Sequence, residues 1–232
     1  MHEVPRIFDL SFIAFDIILC LGWMTFLFAR KHFKAIFFGI FAFFVYFIAD
    51  DVIWYHVLGT RVFLSMPKWL SPDVFEIYFS FTYGMLQFSM ASMLFDERIS
   101  RREKAIWAFS LFLGWLSVGL LSDVFRTGVI LSFYRQMGGQ RIGQLVMVGA
   151  EFALLAALIY AYKPLKLTWP KVGMVFLVGF YIHFCMESTL FISGIRQGKW
   201  DVLIFNSLFE FNTGAPILYI LNHLRIRSSG NG

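Results

Sequence analysis

The feature that most constrains this chain is a succession of apolar runs, each about as long as a lipid bilayer is thick. A span needs roughly 20 mainly apolar residues. Such runs fall near 9–29, 34–57, 73–95, 104–122, 143–163, 171–194 and 201–222, with charges, Pro or Gly in every gap. Inside hydrocarbon each backbone N–H and C=O must be satisfied within its own segment, so runs of this length read as helices. The expectation is an all-α membrane protein: seven transmembrane helices in one domain over residues 1–227, then a disordered tail at 228–232. Composition agrees. Hydrophobic residues make up 59% of the chain and charged residues 15%, with 30 Phe; soluble domains carry about 25% charge. The first run contains Asp16 and is too long for a signal-peptide core, so no cleavable leader is expected.

A net charge of +5 would point a soluble protein toward nucleic acid. Here the Lys and Arg lie between the apolar runs and act as topology signals. The expected partners are therefore the bilayer and a small hydrophobic substrate, not nucleic acid; oligomeric state is not legible. Twelve positive residues occupy one set of short gaps (Arg30, Lys31, Lys34, Arg98, Arg101, Arg102, Lys104, Lys163, Lys166, Lys171, Arg225, Arg227). Eight occupy the other, longer set (Arg6, Arg61, Lys68, Arg126, Arg135, Arg141, Arg196, Lys199). The positive-inside rule then puts the N-terminus outside and the C-terminus in the cytoplasm. Cys20 and Cys185 both sit within apolar runs, which gives no disulfide framework. Among the outer loops, 61–72 holds Trp69 between Pro67 and Pro72. The loop 124–142 mixes Phe125, Phe133 and Tyr134 with Arg126, Arg135 and Arg141. A short amphipathic helix lying on the membrane fits that mixture, as does a plain connection.

Two stretches resemble each other. "YFIADDVIWYHVLGTR" (46–61) and "YIHFCMESTLFISGIR" (181–196) are aromatic helices with acids near the outer end, then Gly, one residue and Arg. In the helices that follow, "FTYG" (81–84) matches "FNTG" (211–214). This suggests a 3+1+3 parallel repeat, helices 1–3 and 5–7 around a linking helix 4, as in some carriers. Chance similarity between apolar segments is the competing explanation.

Acids are costly in lipid, about 2.5–3.5 kcal/mol or more at the centre, so each is a functional candidate. The runs contain Asp16, Asp50, Asp51, Glu76, Glu151, Glu187 and Glu210, all toward the outer half or near the midplane. Asp16, Glu76 and Glu151 lie near helix ends and can be read as reaching the interface. Helical spacing puts Glu76, Ser80, Tyr83 and Gln87 in one stripe, Asn206, Glu210 and Thr213 in another, and pairs His183 with Glu187, Asp50 with Trp54, and Asp51 with Tyr55. Pro216 should kink the last helix. These stripes should face one another around an acid-rich cavity open to the outer side and floored by Phe, Leu and Met. Asp50 and Asp51 are adjacent, so both cannot enter one narrow pocket. Asn206 and Asn212 also suit plain helix–helix contacts.

A protonated carboxylic acid beside an aromatic wall could protonate an alkene or epoxide. Trp54, Tyr55, Tyr83 and Tyr181 could stabilise the resulting carbocation, and a second carboxylate could remove a proton. The stretch "GFYIHFCMEST" (179–189), with His183 one turn before Glu187, resembles the His-xxx-Glu helix of membrane sterol Δ8–Δ7 isomerases, a family with fewer spans. The seven-span plan of about 230 residues also resembles the small integral-membrane terpene cyclases, which carry essential acids late in helix 2 and in the last helix. Asp50 or Asp51, and Glu210, hold comparable positions, although "YFIADDVIWY" is only loosely like that family's Trp-Glu helix. These resemblances imply a catalytic set of Asp50, Asp51, His183, Glu187 and Glu210. Substrate contacts would come from Trp54, Tyr55, Glu76, Tyr83, Tyr181, Asn206 and Asn212, with no metal and no cofactor. The alternative is a proton-coupled or cation transporter, for which an acidic cavity and a proline kink also serve. The last helix has no mid-span Lys for retinal, and no Gly-rich phosphate loop or Gly-x-Ser-x-Gly elbow occurs.

Overall fold

A computed structural model describes residues 5–136, 140–196 and 200–228. The expected tail falls almost wholly outside them, although the last helix continues to Ser228. The long helices are α1 (Leu10–Ala29), α2 (Phe33–Phe47, continuing as a π-helix over Ile48–Val57), α3 (Pro72–Phe95), α4 (Arg101–Val124), α5 (Gln140–Ala161) and α6 (Trp169–Ile192). A last, interrupted segment follows: α7 (Trp200–Phe209), a 3-10 turn at Phe211–Thr213 and α8 (Ala215–Ser228). These match the seven apolar runs closely. Five of them are long and apolar enough to cross a membrane: Leu10–Ala29, Phe33–Val57, Arg101–Val124, Arg141–Ala161 and Trp169–Ile192. The protein is thus mainly helical, with a helix set compatible with an integral membrane protein.

The two segments that fall short of that measure do so for a structural reason. Helix α3 packs against α1, α2, α4, α6 and α8, and sixteen of its 24 residues are buried. Surrounded by protein rather than lipid, it can carry Ser80, Thr82, Gln87, Ser89 and Ser92. Helix α5 is the opposite case, with 11% of its apolar window buried. The last segment breaks over 210–214, about one turn ahead of Pro216. A proline lacks the N–H that would bond four residues back, and its ring crowds that carbonyl. The expected kink is therefore a full interruption.

Helices α2 and α3 approach closely at Gly84. A Cβ there would meet Phe43 N at 2.8 Å and Ala42 C at 2.9 Å, both backbone atoms that cannot step aside. Small residues permit such contacts between helices in lipid.

Three short strands were not anticipated: β1 (Arg6–Asp9), β2 (Arg61–Ser65) and β3 (Ile130–Arg135), forming one antiparallel sheet in the order β1-β3-β2. Each joins the bundle at the same end, before α1, after α2 and after α4. The amphipathic helix considered for 124–142 is thereby corrected. Residues 130–135 form the middle strand, because their side chains alternate with a period of two rather than 3.6. Arg6 pairs with Phe133, Arg61 with Arg135 and Phe63 with Phe133. Alternation then puts Phe8, Phe63, Leu131 and Phe133 on the bundle side, where Phe133 stacks on Phe8 and meets Phe75 and Phe79. The arginines Arg6, Arg61 and Arg135 share that side.

Asp9 ties the sheet to the bundle. Its carboxylate caps α1 by accepting from Ser11 N (2.9 Å) and also accepts from Thr127 N, Thr127 Oγ1 and Gly128 N (2.8–3.0 Å).

Two predictions follow from this packing. Gly84→Ala should cost about 1–3 kcal/mol by overpacking, whereas Gly22→Ala, with nothing within 4 Å, should be neutral or stabilising by up to about 1 kcal/mol. Thermal unfolding in nanodiscs distinguishes them; equal effects would deny the close approach. For Asp9, partial burial acts to raise the pKa, but the Thr127 and Ser11 hydrogen bonds outweigh it and hold the value well below the ordinary 3.8. A depressed carboxylate contributes stability above its unfolded value and loses it as pH falls toward the folded one. The fall in melting temperature from about pH 4 downward should therefore be shallower in Asp9→Asn.

Candidate functional site

Under the sheet lies a cavity of about 710 Å³. Its roof is Arg6, Arg61 and the run Phe133, Tyr134 and Arg135; its walls come from α2, α3, α5, α6 and α7. Phe79, Phe88, Phe205 and Phe211 give it an aromatic lining. The three strands lie across the end of the bundle toward which the acids are placed. The exposed wall residues are Val45 on α2 and Ile142, Leu145 and Met147 on α5, beside exposed Asp201, so the mouth faces sideways, toward where lipid would be.

The expected acids are present, but they are not alone. Five arginines reach the cavity: Arg6, Arg61, Arg135, Arg141 and Arg196. All five count as loop charges in the sequence. Arg61 bridges Asp50 (Nη1–Oδ2, 3.0 Å) and Glu76 (Nε–Oε1, 2.7 Å) and lies over Phe133 and Phe79. Arg196 and Arg6 both meet Glu187, at 2.9 and 3.3 Å. Arg135 meets Glu210 at 2.8 Å and stacks 3.9 Å from the Trp54 ring. The picture of an acid-rich cavity is therefore corrected to one of paired charges. The physical reason is the cost of an isolated ion in an apolar interior, which close pairing offsets. Burial disfavours the Arg61 charge, yet Asp50 and Glu76 outweigh it and push its pKa up.

The structure brings some candidates together and separates others. Asp50, Trp54, Tyr83, His183, Asn206 and Glu210 line the cavity. Glu187 and Glu76 sit just behind it, fully buried against the arginines. His183 Nε2 lies 3.0 Å from Glu210 Oε2 and 3.6 Å from Glu187 Oε1. Nε2 thus sits between two carboxylates, closer to Glu210, while Nδ1 has no hydrogen-bond partner among the described residues. Asn206 donates to Glu187 (3.3 Å) and accepts from Arg141 (2.6 Å). Asn212 instead donates to Phe176 O and Leu208 O, joining α6 to the broken helix. Tyr181 donates to Ala108 O on α4, away from the cavity.

Asp51 turns away as well. In a π-helix, residues five apart align, and Leu58 N bonds Ile53 O at 2.8 Å. Asp51 therefore faces His56 (3.7 Å), which contacts Asp73 at 2.8 Å, instead of pairing with Tyr55 at α-helical spacing. Tyr55 packs on His56 and Phe63. Asp16 does not reach an interface: it is fully buried and accepts from Tyr78 Oη at 2.9 Å. Glu76 likewise stays inside.

His183, Glu187 and Glu210 offer donor atoms within 4.8 Å of one another, a spacing compatible with a metal ion. Arg6, Arg135 and Arg196 already pair with these carboxylates, and their charge would repel a cation. The arrangement suits proton transfer better. The missed arginines left a faint trace in the sequence. "RIF" (6–8) and "RVF" (61–63) share an Arg-apolar-Phe alternation that "FYR" (133–135) repeats in reverse, as an antiparallel partner would.

Arg61→Met should strand two buried carboxylates and cost about 3–5 kcal/mol. Adding Asp50→Asn and Glu76→Gln to it should recover much of that loss, read as the thermal midpoint in nanodiscs; no recovery would mean that the pairs are incidental. No protein-family model, curated protein or solved structure matches the chain.

Proposed function

We propose that this protein is an integral-membrane enzyme that acts on a lipid-soluble isoprenoid by acid-initiated isomerisation or cyclisation. The observation that carries this reading is His183, which lines an aromatic cavity with Nε2 between the Glu187 and Glu210 carboxylates and Nδ1 without a hydrogen-bond partner among the described residues. The arginines occupy Asp50, Glu187 and Glu210 as carboxylates, so the acid role passes from them to the imidazolium of His183. In this scheme His183 gives its proton to an alkene carbon or epoxide oxygen. The cation formed is stabilised by the faces of Tyr83 and Phe88 and by the charges of Glu187 and Glu210. The neutral imidazole then takes a proton from a neighbouring carbon, which leaves a new double bond and restores the site; a proton taken first by Glu210 returns to His183 across their 3.0 Å contact. The resemblances noted above agree: His183 and Glu187 match the isomerase pair, and Asp50 and Glu210 match the two cyclase acids.

In the membrane, all seven helical segments cross, α3 and the broken α7–α8 being sheltered by the others. The positive-inside count puts the sheet and N-terminus outside and the C-terminus in the cytoplasm. The 3+1+3 reading draws support from Gly59 and Gly194, both at positive φ (60° and 71°), each leading an arginine into the cavity. The copies differ where α3 runs on and the last helix breaks. Against transport stands the opposite half of the bundle. There Leu27, Met90, Met93, Phe95, Trp107 and Tyr219 are each 1% exposed or less, and a carrier needs a path where these side chains pack.

Acid initiation places a solvent-derived hydrogen on carbon or oxygen. Purified protein incubated with a panel of polyprenyl alcohols, epoxides and sterol precursors in deuterated water should yield an isomeric product, with carbon-bound deuterium where an alkene is protonated and a ring-opened alcohol where an epoxide is. His183→Gln should lower turnover about 100-fold or more, and Glu210→Gln should also reduce it. Turnover intact in His183→Gln, or no conversion of any panel member, would sink the reading.

A further inference from the structure

One arginine in the cavity makes no ion pair among the described residues, although the exposed carboxylate of Asp201 borders the same mouth. Arg6, Arg61, Arg135 and Arg196 each meet a carboxylate. Arg141 lines the same cavity, but its partners are neutral: it donates to Asn206 Oδ1 at 2.6 Å and lies 4.6 Å from the Phe205 ring. Among the described residues no carboxylate pairs with it. A guanidinium against apolar walls is costly without an anion. Its planar fork is suited to carboxylate and phosphate oxygens.

The position of Arg141 strengthens the point. It occupies the first turn of α5, where the helix dipole also favours negative charge. The exposed apolar side chains Ile142, Leu145 and Met147 continue from it along the mouth of the cavity. Through Asn206 it stands one amide away from Glu187, and Glu187 stands beside His183. A positive anchor at the entrance, an apolar track along α5 and α2, and a proton site further in together describe an elongated, amphipathic ligand.

We infer that the substrate carries an anionic oxygen group, a carboxylate or phosphate, on its isoprenoid chain, and that Arg141 holds this group at the lateral mouth while the chain reaches His183. This rests on the functional reading above and adds the class of substrate. Arg141 is then a binding residue that sets specificity and register, not a catalytic one.

The test is binding to the full chain in phosphatidylcholine nanodiscs, with farnesyl monophosphate, farnesoic acid, farnesol and dodecyl phosphate as probes. One or both anionic farnesyl probes should bind at least about tenfold more tightly than farnesol. Arg141→Gln should bring them to the level of farnesol, and Arg141→Lys should retain part of the difference. Arg141 is only partly buried, so unchanged thermal midpoints should accompany both variants. Farnesol binding as tightly as the anions would overturn the anionic group and leave the isoprenoid reading standing. An anion preference that survives in Arg141→Gln would overturn the assignment to this residue. Dodecyl phosphate matching farnesyl monophosphate, with the same dependence on Arg141, would uphold the anion site and overturn the isoprenoid reading. Binding of no probe would overturn both.

Discussion

The structure depends on the pairing of carboxylates inside the bundle with arginines delivered from its end. Neither partner is tolerable alone in an apolar interior: an unpaired ion would cost several kcal/mol. Arg61 joins Asp50 on α2 to Glu76 on α3, Arg135 holds Glu210 in the broken last segment, and Arg6 and Arg196 converge on Glu187. Each pair links a helix to the sheet or to the connection after α6. The sheet is thus held down by charge as well as by the aromatic cluster of Phe8, Phe75 and Phe133.

That arrangement leaves a hollow. Salt-bridged side chains need room to meet with good geometry, and the strands span the end of the bundle rather than plugging it. Past Phe209 the α-helix tightens into a 3-10 turn at Phe211–Thr213 and leaves helical geometry at Gly214, and Glu210 and Thr213 border the cavity there. The other half packs around Trp107, Met90 and Tyr219, with one buried carboxylate among the described residues, Asp96 at the end of α3, held by Arg98. Buried charge is accordingly concentrated at one end, where polar groups meet an aromatic wall.

Much of this was legible along the chain. Seven apolar runs predict seven helical segments within a few residues, because helix length in lipid follows from bilayer thickness. The one-sided distribution of acids, the convergence of Asp50, His183 and Glu210, and an interruption near Pro216 all follow from helical periodicity and proline stereochemistry. The π-helix defeated the same arithmetic at Asp51, since a register of five rather than four turns that side chain toward His56. Asp16 and Glu76 were misjudged because nearness to a helix end says nothing about how the neighbouring elements cover it.

The sequence by itself determined that the chain is helical, suited to lipid and charged on the inside of one half; these are consequences of local composition and period. Only the tertiary structure decided which charges meet. Arg6, Arg61, Arg135, Arg141 and Arg196 read as ordinary loop residues, because their destinations are fixed by contacts between segments far apart in the chain, such as the pairing of Arg6 with Phe133 and of Arg61 with Arg135, which have no local signature strong enough to read alone. The same long-range pairing roofed one end of the bundle with strands and brought arginines to a set of otherwise costly acids.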